Sequence, residues 1–300
     1  MLASLACLAA ALAVRETAWA AVPALALLAA ARGERGRILA RRVLPALALL
    51  AAAVALLLSL PAYRRLATAT LGRLDLPALV ATQADALAYL LTRPLLMLEL
   101  NVDPDLAPRS APGLDTLATI AALAAPLALA AWQWRRRPWL AAAIAWPYLL
   151  LAPTYSLFAR ADVANDRHLY LALFGPAVLA GTALAALPAR PRLASGFALC
   201  LLLGLVTVGR NTDYASEAAL WTATAALSPD KPRVWNNLGY ALLEAGDAEG
   251  AARAFRRALA LDPEYLRARY NLADAEARLE AAGVTGDAPA ASGSAGRSAR

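Results

Sequence analysis

Histidine occurs once in this chain of 300 residues, cysteine twice, and charged side chains make up only 17%. Each scarcity closes off a class of chemistry. His168 stands alone, and Cys7 and Cys200 lie far apart in apolar stretches, so neither metal-ligand spacing nor a disulfide framework is available. Both cysteines read as small hydrophobic residues inside helices. Lysine is almost missing too, with Lys231 the only one among 29 basic residues. A net charge of +7 and a pI near 9.8 would suit nucleic acid. However, the arginines stand between apolar stretches rather than on one exposed patch, which argues against that partner.

What is abundant is hydrophobic surface, at 60% of residues and a mean hydropathy of +0.50. Ordinary soluble chains are nearer half apolar and a quarter charged. The excess is confined to residues 2–210, whereas charged, helix-forming sequence fills 230–282. Residues 1–229 carry a net +7 and residues 230–282 a net −1. One part built for lipid and one built for water are therefore expected. The predicted fold is all-α, with a polytopic transmembrane domain over 1–210, a helical-repeat module over 211–282 and a disordered tail over 283–300. The tail is Gly-, Ala- and Ser-rich and has no apolar pattern.

Apolar runs fall near 2–14, 17–31, 43–60, 84–98, 114–132, 138–152, 169–187 and 193–209. Crossing a bilayer takes about 20 residues, with about 17 as a lower bound. The runs at 43–60, 114–132, 169–187 and 193–209 reach that bound alone, and those at 2–14, 17–31 and 138–152 need flanking residues or a thinner bilayer. Ala18-Trp19-Ala20 has the small-x-small form of a cleavage site. No basic region precedes the apolar run, though, so a first membrane helix is expected rather than a signal peptide. Ten arginines crowd the short stretches 32–42, 133–137 and 188–192, which the positive-inside rule places in the cytoplasm. About seven spans result, and 84–98, broken by Asp85, Arg93 and Pro94, is read as in-plane or re-entrant. Arg15-Glu16, 61–83, 99–113, 153–168 and the repeat module then share the non-cytoplasmic face.

Residues 232–265 carry the 34-residue pattern of a tetratricopeptide repeat (TPR). Trp235, Leu238, Gly239, Ala251, Phe255, Ala258 and Pro263 hold its spacing, and Leu242 replaces the usual aromatic. Gly239 and Ala251 allow two antiparallel helices to approach, Gly246-Asp247 turns the chain, and Asp262-Pro263 ends the second helix. A second repeat begins at Leu266, and Ala218–Pro229 reads as a preceding helix. Such grooves hold extended polypeptide, with Asn236, Asn237, Tyr240, Arg267 and Asn271 as the candidate contacts.

Four short motifs extend the reading. Arg15-Glu16-Thr17 precedes an apolar helix with Pro23. Asn101-Val102-Asp103-Pro104-Asp105 follows a Leu/Pro-rich segment. Asp166-Arg167-His168-Leu169-Tyr170-Leu171 opens another helix. Arg210-Asn211, Trp221 and Ser228-Pro229-Asp230-Lys231 lead into the repeat. In this order they resemble bacterial TPR-containing transmembrane O-mannosyltransferases, GT-C-class glycosyltransferases. The resemblance implies an integral protein of the bacterial inner membrane with a periplasmic repeat module. It further implies sugar transfer from a polyprenyl-phosphate carrier to a protein hydroxyl, the protein O-mannosylation reaction. Arg15 and Arg167 would pair with the donor phosphate, Glu16, Asp103 and Asp166 would orient sugar hydroxyls, and Asn101 and His168 would complete the donor site. The lipid-linked sugar is a substrate, so no cofactor and no metal is expected.

One departure limits the resemblance. The family carries an acidic residue in its first outer loop, before the basic-Glu-Thr motif, and here that motif begins at residue 15. An N-terminally incomplete or inactive relative is the expectation, with catalytic residues unassigned. The alternatives are a non-catalytic TPR membrane scaffold and an O-antigen ligase or polymerase-like enzyme.

Overall fold

The computed structural model describes residues 2–14, 16–71, 75–96, 101–155 and 163–286, and among these no strand occurs. Two compact units result, Met1–Thr207 and Val208–Arg300.

The first unit begins with α1 (Leu2–Val14), a 3₁₀ turn at Glu16–Ala20 and α2 (Ala21–Ala31). Then come α3 (Gly36–Ser59), α4 (Pro61–Leu71), α5 (Leu76–Leu96), α6 (Leu114–Gln133) and α7 (Pro138–Leu151). A short α8 (Leu169–Ala172), α9 (Phe174–Ala185) and α10 (Ala189–Asp213) follow. The boundary between the two units falls within α10.

Among the described residues three helices, α3, α6 and α10, are long and apolar enough to cross a membrane. Residues 3–12, 18–31 and 138–151 form shorter apolar helices, matching the runs that need flanking residues. The run at 169–187 is not one helix. It bends by 54° between Asp166–Ala172 and Phe174–Ala185, so it would count as a single span only across that break. The cause is local, because Pro176 has no N–H to donate to the Ala172 carbonyl and the helix must restart there. Helix α10 shows the reverse of a soluble core helix: none of its apolar window is buried, and Leu193, Phe197, Leu205 and Val208 all face outward.

Helix α5 begins eight residues before the apolar run that announced it, because Leu76 to Gln83 continue the helix ahead of Ala84. Its Ala86 and Leu90 are fully buried against Leu151, Tyr155, Val163, Ala164, Leu169 and Ala172. Asp85 and Arg93, the polar breaks, find local partners. Asp85 pairs with Arg109, and the Arg93 guanidinium sits 4.0 Å from the centroid of the Tyr89 ring. Helix α7 is central, with Ala141, Ala142 and Ala143 buried. Gly175 of α9 packs so closely on it that a β-carbon there would run into the Ala143 carbonyl. This cluster brings the loop after α5 and the loop after α7 together.

The second unit holds the repeat. Helix α11 (Glu217–Leu227) is capped by the Ser216 hydroxyl, which accepts from the Ala219 N–H at 3.0 Å. Helix α12 (Pro232–Glu244) starts with Pro at its first position, where no N–H is missed. Gly246, at φ +88°, makes the left-handed turn, and Asp247 caps α13 (Ala248–Leu261) through the Gly250 N–H at 2.7 Å. Helix α14 (Leu266–Gly286) runs four residues past the boundary expected from sequence, and residues 287–300 lie outside the described set. Phe255 is fully buried with Leu243, Ala251, Ala252 and Ala275, and its ring rests on Gly239. Burying that ring contributes roughly 1.5–3 kcal/mol. Trp235 stays partly buried, donating its indole N–H to the Pro229 carbonyl at 2.8 Å.

Candidate functional site

Tyr155 organises the loop after α7. Its backbone continues from the helix end, with the Tyr155 N–H donating to the Leu151 carbonyl at 3.0 Å. Its buried hydroxyl accepts from the Asn165 N–H at 3.1 Å and lies 2.6 Å from His168 Nδ1. The Tyr155 and His168 rings meet edge to face, with centroids 5.5 Å apart. Asn165 caps the 3₁₀ turn Asp166–His168, its Oδ1 accepting from the Arg167 N–H at 3.1 Å. These bonds fix the orientation of Asp166, Arg167 and His168.

The loop after α5 docks on that turn. Asp166 Oδ2 accepts from the Asn101 N–H at 2.5 Å, and Asn101 Oδ1 accepts from the Asp103 N–H at 3.1 Å. Both Asn101 and Asp103 are buried. Further along, Arg109 anchors the loop to α5 and α6. Its N–H donates to Thr82 Oγ1 at 2.8 Å, and its guanidinium reaches Asp85 and Asp115, each at 2.6 Å. Donating to Asp85, and then to Asp115, pushes the Arg109 pKa further up from its ordinary value.

Five of the seven donor-site candidates therefore converge: Asn101, Asp103, Asp166, Arg167 and His168. Arg15 lies outside the described residues, and of Glu16 only the backbone is described, as the start of a 3₁₀ turn. Arg167 and His168 also border a cavity of about 670 Å³, whose walls include Leu25 and Leu28 of α2 and Trp146 and Leu150 of α7. Thr154, Arg167, His168 and Tyr170 bring polar atoms to its lining. An apolar trough with a guanidinium and an imidazole at its border suits an amphiphile bearing an anion. Among the described residues no three His, Cys, Asp or Glu side chains gather as a metal site would need. Tyr155 and Arg109 escaped the sequence reading. Their types are ordinary for loops, and only the contacts between distant segments reveal their roles.

The repeat places its candidates differently. Asn236 is buried, and its Oδ1 accepts from Asn271 Nδ2 at 2.9 Å, tying α12 to α14. Its own Nδ2 lies 3.5 Å from Asn237 Oδ1, so three amides form a line across the two helices. Tyr240, four residues after Asn236 on α12, and Arg267, four before Asn271 on α14, are exposed.

Comparison with known proteins agrees with this second unit. The tetratricopeptide repeat family model matches residues 232–265. The peroxisomal targeting signal receptor of Eremothecium gossypii is 40% identical over 63 residues, covering 21% of this chain and 11% of the receptor. The receptor of Saccharomyces cerevisiae is 36% identical over 73 residues, covering 24% and 12%. The similarity lies in the TPR region, and the chain spans only about a tenth of the length of these relatives. No solved structure matches.

Proposed function

We propose that this protein is a membrane-anchored scaffold whose TPR module holds an extended segment of a partner polypeptide. The observation that supports this most directly is the amide line Asn271–Asn236–Asn237 with exposed Tyr240 and Arg267 on the same helices. Amide side chains both donate and accept, which suits reading main-chain N–H and C=O groups of an extended chain. The relatives that share this region are peroxisomal targeting signal receptors, which fits a module that binds other polypeptides. The apolar helices of residues 1–207 supply the anchor, with the arginine-rich turns cytoplasmic and the repeat in the periplasm.

A photo-crosslinker at Tyr240 in the full chain should capture a polypeptide. The pair Asn237→Ala and Asn271→Ala should cut that capture by at least about tenfold, two lost hydrogen bonds at about 0.7 kcal/mol each. Arg167→Ala should leave it unchanged. Capture insensitive to the asparagine pair would sink the reading. For the orientation, a cysteine at Asp230, in a chain lacking Cys7 and Cys200, should react with a membrane-impermeant maleimide added outside. Reaction only after the cell is opened would reverse it.

A second reading rests on a separate observation, the convergence of Asn101, Asp103, Asp166, Arg167 and His168 beside the apolar cavity. In a GT-C-like glycosyltransferase, Arg167 would hold a polyprenyl phosphate while its tail lies in the trough. Asp103 and Asp166 would orient the sugar for attack by a serine or threonine hydroxyl. Purified protein that turns over polyprenyl-phosphate mannose, and loses this with Arg167→Ala, would establish it. Absence of turnover with an intact Asn101–Asp166 contact would favour the scaffold alone.

A further inference from the structure

The cavity beside Arg167 has a neighbour along the same helix seam. A smaller groove of about 190 Å³ shares its Leu28 and Trp146. From that shared point, the 3₁₀ turn and α2 line the larger cavity from Ala18 to Leu28, and α2 with its C-cap Arg32 lines the smaller from Leu28 on. Helix α7 contributes Trp146 and Leu150, and its following turn Thr154, to the larger, and α7 contributes Trp139 to Trp146 to the smaller. The two helices therefore run antiparallel, with the cavities at opposite ends of the seam. Trp146 is fixed between them, its indole N–H donating to the Leu171 carbonyl at 2.8 Å and its ring 5.4 Å from that of Phe174.

Among the described residues Arg32 is the one charged side chain lining the smaller groove, and no carboxylate lies within ion-pair distance of it. Glu34, two residues on, is engaged by Arg42 at 2.9 Å. Trp139 stands on the same rim, and the rest of the lining is Leu, Ala, Trp, Phe, Gly and Val. At this volume the groove falls below the roughly 300–1,000 Å³ of sites that enclose a drug-sized ligand. Only the first several methylenes of a single hydrocarbon chain fit such a space, the rest of the chain continuing along the open seam.

We propose that this groove seats the proximal end of one acyl chain of an anionic glycerophospholipid, with its phosphate on Arg32 and the Trp139 indole at the ester level. Guanidinium pairs bidentately with phosphate, and tryptophan favours the headgroup boundary. A zwitterionic lipid carries its own cation and gains less from the surplus of arginines at Arg35, Arg37 and Arg135 to Arg137. The inference rests on the membrane anchoring proposed above and is independent of peptide binding or sugar transfer.

Native mass spectrometry of the full chain released from detergent tests it, with phosphatidylglycerol, phosphatidylcholine and undecaprenyl phosphate as probes. One retained phosphatidylglycerol is expected, favoured over phosphatidylcholine by about tenfold. Arg32→Gln should reduce that preference about tenfold, the loss of one direct guanidinium–phosphate contact, which is more than a merely neighbouring arginine would cost. Val178→Trp, filling the groove, should lose the bound lipid; if helix content drops, Ala31→Leu fills it from α2 instead. Equal retention of the two phospholipids overturns the inference. So does an equal loss from Arg35→Gln, which would mean surface charge without a seat, or displacement of phosphatidylglycerol by undecaprenyl phosphate through Arg32. Alkaline carbonate extraction separates the two levels. Protein in the soluble fraction would remove the membrane anchoring and this seat together, whereas pelleted protein with no lipid preference removes only the seat.

Discussion

Gly239→Ala tests the packing logic of the repeat, because two opposing effects of known size meet at one atom. Within a helix, alanine is favoured over glycine by about 0.8–1.0 kcal/mol. Here the added β-carbon would lie 2.6 Å from Phe255 Cε1 and 2.7 Å from Cδ1. The ring cannot simply swing aside, because Phe255 is fully buried among Leu243, Ala251, Ala252 and Ala275. Forcing one extra carbon into a closed core costs about 1–3 kcal/mol. The balance is a net loss of about 1 kcal/mol. Hydrogen–deuterium exchange of the full chain in detergent reads this locally, since amides of α12 and α13 exchange through opening of the repeat. A loss of that size should speed their exchange about fivefold. Combined with Phe255→Leu, the cost of Gly239→Ala should shrink, because the shorter side chain gives the β-carbon room. Slower exchange in Gly239→Ala alone would refute the packing argument, since propensity would then have outweighed contact.

Three further expectations follow from the loops and caps. Tyr155→Phe leaves the buried Asn165 N–H without its acceptor, so it should destabilise the first unit by about 1–3 kcal/mol in thermal unfolding. Because the chain has one histidine, the His168 ¹⁵N signals should shift in the same variant, and unchanged signals would contradict the 2.6 Å contact. Arg109→Ala should leave the melting temperature nearly unchanged, as its ion pairs are partly solvated, yet speed proteolysis between 101 and 113. Asp247→Ala should cost about 1 kcal/mol through loss of the α13 cap, seen as faster exchange at Gly250.

The repeat was legible from sequence because its determinants are local and periodic. Gly239, Gly246, Ala251 and Phe255 each do what their spacing implied, and the turn at Gly246-Asp247 falls where expected. The apolar runs were legible as helices for the same reason. Helix ends were less so, since the polar residues Thr82 and Gln83 are buried within α5 and carry no periodic signal of their own. The break at Leu173 was readable in Pro176 but hidden by the apolar character around it. The candidate site was half legible. The motifs at Asn101 and Asp166 drew notice, but their 65-residue separation gave no sign that they touch, and neither Tyr155 nor Arg109 stands out by type. Side-chain chemistry travels with the residue, whereas long-range pairing depends on how α5 and α7 pack.

The bond between the two loops has an asymmetric consequence for anyone redesigning them. Its donor is the main-chain N–H of Asn101 and its acceptor is the carboxylate of Asp166. Any amino acid at 101 except proline still offers that hydrogen, whereas at 166 only a side chain with an oxygen at the same reach can receive it. Asn101 has a second duty, because its buried Oδ1 receives the Asp103 N–H, so a library randomised at both positions should exclude proline and favour Asn, Asp, Ser or Thr at 101, and narrow to very few residues at 166.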